Sequence, residues 1–260
     1  MAARRWVQSV WDHRSVLLML ARSDFHVRYK RAVFGVAWAV VVPVVQALVL
    51  AVVFARLIGF PTTKGFGPFV LAGVLAWSYF SQTLGSASSA IVDAAGLNDK
   101  VWFPRALLPI VPCLANLGGL LVSLGVLLVV APLLGAPLGA RVVWLLPAVL
   151  LLTTFTAALS MVLSAMHVYF RDVKYLVQAA LLVWFYVTPI AYPKTLLKGL
   201  AGWADLNPLS GIISLFQAAI IGPTPELNRA LIVSFVAVAV LVLVAVETQR
   251  RNDRLFVDLL

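Results

Sequence analysis

Acid–base, nucleophilic or metal chemistry in this chain would have to be built from three histidines, one cysteine and ten carboxylates. His13 and His26 lie in a charged N-terminal stretch and His167 near the end of an apolar run, so no two histidines hold metal-ligand spacing on one helix. Neither HExxH nor GxSxG occurs, and no carboxylate pair falls within an apolar run. Cys113 stands alone in an apolar stretch, which excludes a disulfide framework and makes it a small packing residue. A phosphate-cradling GxxxxGK[ST] is also missing, so ATP cannot be bound through a P-loop of this chain. Seven of the ten acidic residues, Asp12, Asp24, Asp93, Asp99, Asp172, Asp253 and Asp258, fall at or inside the expected cytoplasmic face and the other three flank spans. A proton- or sodium-coupled carrier needs an ionisable group near mid-run. The expectation is a chain that is not an enzyme, carries no metal or cofactor of its own, and takes its energy from a partner or a solute gradient.

Three constellations stand out against that background. The segment RSDFHVRYKRAVFGVAWAVVVPV leads a basic strip (Arg22, Arg28, Lys30, Arg31) through a small-residue hinge at Gly35 into Trp38 and Pro43. In NDKVWFPRALLP, running from Asn98 through Lys100, Trp102, Phe103, Pro104 and Arg105, an aromatic pair precedes a proline–arginine step. The third, MHVYFRDVKYLVQ, makes a tight charged corner of Tyr169, Arg171 and Asp172. Each also has a structural account, since basic residues anchor topology, Trp and Tyr form interface belts, and an exposed Arg–Asp pair contributes under about 1 kcal/mol.

The elements that hold these residues are membrane spans. Of 260 residues 62% are hydrophobic and 12% charged, against about 45–50% and about 25% in a soluble domain, which excludes a soluble enzyme and a disordered tail. The net charge of +10 would elsewhere raise nucleic acid as a partner, but in a membrane protein basic residues gather at cytoplasmic headgroups. Fourteen of the twenty basic residues are Arg, the coding style of a GC-rich bacterium. The first 31 residues break their apolar positions with charges and do not read as a cleavable signal. Trp6, Val7, Val10, Trp11, Leu17, Leu18 and Ala21 share one helical face opposite Gln8, Ser9, Asp12, Ser15 and Arg22, as in a helix lying at the membrane surface.

Six apolar runs follow, near 33–58, 69–95, 106–134, 142–168, 175–190 and 229–246. The second, with Ser78, Ser81, Gln82 and Thr83, is the most polar, and such side chains face the bundle interior or a wet pathway. Six spans put both termini on one side. With that side cytoplasmic, fourteen Lys and Arg lie inside and six outside, so the prediction is N-in and C-in. Between the fifth and sixth runs, TLLKGL and LSGIISLFQAAIIG are too short to cross. Two re-entrant half-helices at an outer pore mouth fit them, starting at Pro193 and Asn207–Pro208 and stopping at Gly199 and Gly222; a pair of helices on the outer leaflet is the alternative. The predicted fold is therefore an all-α membrane protein in one domain: an amphipathic interface segment over 1–31, a six-span bundle with two short re-entrant helices over 32–248, and a cytoplasmic tail over 249–260.

These segments in this order, with VWFYVTPIAYP and NPLSGIISLFQ, resemble the permease subunits of ABC transporters that export O-antigen, teichoic acid and related lipid-linked glycans, the Wzm-type family. Each motif is short, and their succession along nearly the whole chain carries the resemblance. It implies a homodimer in the bacterial inner membrane with two copies of a separate ATP-binding subunit that carry ATP and Mg. The substrate it implies is a polyprenyl-pyrophosphate-linked polysaccharide, with membrane lipids as further partners and no nucleic acid. By the same resemblance Asn98, Lys100, Trp102, Phe103, Pro104, Arg105, Tyr169, Arg171 and Asp172 receive movement from the ATPase. Arg22, Arg28, Lys30 and Arg31 suit a pyrophosphate headgroup at the inner leaflet. Trp77, Tyr79, Phe80, Trp184, Phe185, Tyr186 and Tyr192 offer flat surfaces along which sugar rings can slide, although some belong to an interface belt. A cell-wall galactan is one cargo considered. The alternatives are a drug or lipid permease of the same architecture and a structural or regulatory membrane protein that transports nothing.

Overall fold

The computed structural model describes residues 12–30, 32–57, 65–94, 107–192, 197, 201–221 and 227–252. All regular elements among them are helical. The main helices in chain order are α1 (Arg14–Tyr29), α2 (Trp38–Val52), α3 (Phe66–Ala87), α4 (Ile110–Leu133), α5 (Leu145–Tyr169), α6 (Val173–Val187), α7 (Pro208–Ile220) and α8 (Arg229–Asn252). Four stretches are long and apolar enough to cross a bilayer: Gly35–Arg56, Ile110–Leu133, Ala140–Tyr169 and Arg229–Arg251. The protein is thus a multi-pass membrane protein. Of the six predicted runs, the second and fifth correspond to α3, which spans 22 residues but is more polar, and α6, which is apolar but only 15 residues long.

The polar second run is the centre of the bundle. Helix α3 packs against α2, α4, α5, α6 and α7, and Val70, Ala72, Val74, Ala76 and Phe80 are wholly enclosed. Its hydroxyls are used locally: Ser81 donates to the Ser78 carbonyl, Ser86 to those of Gln82 and Thr83, and Ser88 to Gly85. Such back-bonding lets a serine sit at membrane depth without an outside partner.

Local sequence explains the ends and bends. Gly35 takes a left-handed φ of 50°, which a Cβ would strain, and so turns the chain from α1 into the 3-10 turn that opens the first span. Helix α4 closes on Gly135 at φ 84°, with the Ala136 amide donating to Ala131 and the Gly135 amide to Pro132. Inside α2, Pro43 has no N–H to give to the Ala39 carbonyl one turn back. The Ser123 hydroxyl of α4 donates to that carbonyl at 3.0 Å, so a neighbouring helix restores the lost bond.

Helices α7 and α8 meet over small residues. A Cβ on Gly211 would collide with the Ala230 carbonyl and the Ser234 hydroxyl, and Ser234 donates to the Pro208 carbonyl at 2.6 Å. Across the bundle Gly73 of α3 leaves room for the Gln217 amide and the Ile190 carbonyl, each 2.9 Å from where a Cβ would sit. Close backbone approach of this kind is the usual substitute for hydrophobic drive between helices in lipid.

Candidate functional site

A helix runs from Arg14 to Tyr29 in the stretch predicted to lie at the membrane surface; Trp6, Val7, Val10 and Trp11 of the predicted apolar face lie outside the described residues. Leu17 and Ala21 are buried against the bundle, Phe25 lies over Gly118 of α4, and Leu18 and Met19 are exposed. The basic strip is divided. Arg22, Arg28 and Lys30 are exposed, Arg31 is outside the described residues, and of these Arg28 is engaged by side-chain partners. Its Nη1 donates to Asn116 Oδ1 at 2.6 Å and its Nη2 pairs with Asp24 at 3.3 Å, one turn back on α1. The Asn116 Nδ2 in turn donates to Thr83 Oγ1 of α3 at 3.0 Å.

The charged corner has the expected form. Helix α5 ends at Tyr169 and α6 begins at Val173, with the Asp172 carbonyl accepting from the amides of Tyr175 and Leu176. Tyr169, Arg171 and Asp172 are all exposed, and among the described residues no ion pair joins Arg171 to Asp172. The other proposed contact, Asn98, Lys100, Trp102, Phe103, Pro104 and Arg105, lies outside the described residues.

The aromatics form a connected packing chain. Trp77 meets Phe80 at 5.6 Å and Phe185 at 5.4 Å between ring centres, and Phe80 meets Trp184 at 5.3 Å and Phe155 at 5.9 Å. Trp77, Tyr79 and Phe80 are buried inside the subunit, so the structure gives these three to the core and not to a channel wall. The physical reason is the central place of α3, which packs against five other helices over the stretch that carries these rings. Trp184, Phe185 and Tyr192 are half-buried, and Tyr186 is 75% exposed. Tyr192 stacks on Phe54 at 5.9 Å and donates its hydroxyl to the Tyr186 carbonyl at 2.8 Å.

A polar hub at the end of α6 positions the segment that follows. Asn207 Oδ1 accepts from the Trp184 indole at 3.0 Å and from the Leu209 amide at 3.1 Å, while its Nδ2 donates to Thr188 Oγ1 at 2.8 Å. Asn207 therefore caps α7, whose first residue is Pro208, as the Asn–Pro signal predicts. Helix α7 has 13 residues, about 20 Å, short of the roughly 30 Å hydrocarbon layer. A second pin is Gln217, whose amide donates to the Ile190 carbonyl at 2.8 Å. Asn116, Ser123 and Gln217 are positions that motif reading passed over. The available signal was a single amide or hydroxyl in an otherwise apolar run.

Among the described residues no three His, Cys, Asp or Glu side chains converge as a metal site would require. What the geometry defines is a helical multi-pass membrane protein built from pinned helices, with the helix Arg14–Tyr29 packed on the bundle. Over residues 15–221 it matches the ABC-2 type transporter family, and the chain belongs to that family. It is 32% identical over 221 residues to the O-antigen export system permease protein RfbA of Myxococcus xanthus, covering 82% of this chain and 83% of that protein. A protein of the same description from Klebsiella pneumoniae is 24% identical over 76% of this chain and 77% of its own length.

Proposed function

We propose that the chain is the membrane subunit of an ATP-driven exporter moving a polyprenyl-pyrophosphate-linked polysaccharide, of O-antigen, teichoic acid or galactan type, across the bacterial inner membrane. The observation that carries this reading is the 32% identity to an O-antigen export permease over four-fifths of both chains. In this reading α3 and α6 complete six spans, both termini are cytoplasmic, and α7 with the segment before it re-enters from the outer face. Two copies form the pathway, each above a separate subunit that binds ATP and Mg. The exposure of the helices supports the dimer: only 11% of the α2 span window is buried, and α6 buries only Val173 and Val177. Arg22, Lys30 and Arg31 meet the pyrophosphate, the Asn98–Arg105 loop and the Tyr169–Asp172 corner receive ATPase movement, and Tyr186 and Tyr192 face the sugar.

The test is deletion of the chain followed by analysis of lipid-linked glycans. One polyprenyl-linked polysaccharide is expected to accumulate on the inner leaflet and to disappear from the surface. Normal surface glycan in the deletion strain would refute the proposal.

A further inference from the structure

Helix α1 rests on α4 through Leu17, Ala21 and the ring of Phe25 over Gly118. Such apolar contact is a poor register device within a bilayer, because lipid tails offer a displaced helix nearly the same environment as its protein partner. Directional bonds must then decide where the helix sits. Asn116 supplies them from both ends of one amide, accepting from Arg28 of α1 and donating to Thr83 of α3, which is wholly buried. The bond to Arg28 is short and charge-assisted. One helical face further along α4, seven residues away, Ser123 holds α2 through the Ala39 carbonyl. The residue between them on that face is Gly119, and the three line one small cavity of about 30 Å³ with Ser78 and Gln82.

We infer that Asn116 is a positioning residue that latches the interface helix to the central helix α3, so that displacement of α1 at the membrane surface is transmitted to the bundle core. This deepens the export reading and rests on it for the transport arm of the test. It also assigns Arg28 to the latch by its bond to Asn116, apart from Arg22 and Lys30.

The experiment uses the full chain with its ATP-binding subunit in lipid nanodiscs and proteoliposomes. Hydrogen exchange is followed over residues 14–29, with α5 and α8 as internal references, alongside ATP hydrolysis and glycan transport. Asn116→Leu is expected to speed exchange of α1 by about three- to eighteen-fold, from the average to the largest value for one interhelical hydrogen bond. Hydrolysis is expected to persist while glycan moved per ATP falls by a similar factor. Asn116→Asp keeps an acceptor for Arg28 and offers a second carboxylate oxygen to which the Thr83 hydroxyl can turn and donate, so it should restore both readouts. Thr83→Val and Arg28→Met, each breaking one leg, should give intermediate values and serve if the leucine variant does not insert. Unchanged α1 exchange in Asn116→Leu and Thr83→Val would overturn the latch. Faster exchange with transport per ATP unaltered would overturn the positioning role and leave the export reading intact. If the wild-type complex moves no glycan, the export reading fails and the exchange arm alone decides the latch.

Discussion

Replacing Asn207 by alanine removes three hydrogen bonds at once, and the surroundings determine what that costs. The Leu209 amide loses its cap, typically about 1 kcal/mol. The half-buried Trp184 indole N–H is left without its acceptor, about 1–3 kcal/mol for a stranded donor. Thr188 loses the amide that bonds it but keeps its own donation to the Trp184 carbonyl at 2.7 Å, so it adds little. The total is about 2–4 kcal/mol. At roughly 2–4 °C per kcal/mol for a chain near this size, thermal unfolding of the purified protein should begin about 4–16 °C lower. Asn207→Asp retains both accepted bonds and places its charge at a helix N-terminus, where it is favoured, so it should lose less than half as much. Trp184→Phe removes one leg of the hub. In a double-mutant cycle with Asn207→Ala the two should couple by about 1 kcal/mol. An alanine variant within 1–2 °C of wild type, by the same conversion under about 1 kcal/mol, or additive single effects, would refute the account of Asn207 as the hub.

Further outcomes follow from the packing and from the proposed roles. Gly211→Ala should separate α7 from α8 by pressing on the Ala230 carbonyl and the Ser234 hydroxyl, a cost of about 1–3 kcal/mol that a melting curve will register. Ser123→Ala should leave the Ala39 carbonyl without its partner and cost about 0.6–1.7 kcal/mol, the measured range for such bonds in membranes, with Ser123→Thr restoring it. Phe103→Ala combined with Arg105→Ala should leave assembly and ATP hydrolysis in place while abolishing most export; normal export in that variant would reduce the loop to a topology anchor. Glutamine at Arg22, Lys30 and Arg31 together should lower glycan export with topology preserved, since four basic residues remain ahead of the first span.

Much of the architecture was legible because the signals were local. Asn207–Pro208 marks a helix start by chemistry that needs no tertiary contact, Gly35 marks a turn, and RD between two apolar runs marks the corner at Tyr169–Val173. Burial of the aromatics was not legible. Trp77 and Tyr186 have the same kinds of neighbour in sequence, and only the number of helices around α3 separates a ring in the core from one at 75% exposure. Arg28 shows the same limit. As a charge it counts equally toward topology, headgroup binding or a protein contact, and only the place of Asn116, 88 positions away, decides among them.

That decision has a general cause in the solvent. In water, burying apolar area fixes which helix faces meet; in lipid the same faces are almost as well solvated when apart, and sparse polar groups take over the choice of register. The distribution of those groups here is uneven. Helices α1, α2, α3, α4, α7 and α8 are each tied to a neighbour by at least one side-chain bond, through Arg28, Ala39, Thr83, Asn116, Ser123, Gln217 and Ser234. Helix α6 is tied near its end, where Trp184 and Thr188 reach Asn207, and only Val173 and Val177 along its length are buried. Its remaining face presents Leu176, Leu182, Val183 and Tyr186 outward. An element with few buried contacts opens at lower free energy than the core around it. Helix α6, like α2 with only Pro43 and Ala47 buried, is therefore among the parts best able to change contacts while α3 and its pins hold their register, the property that the proposed export pathway between two copies requires of its wall.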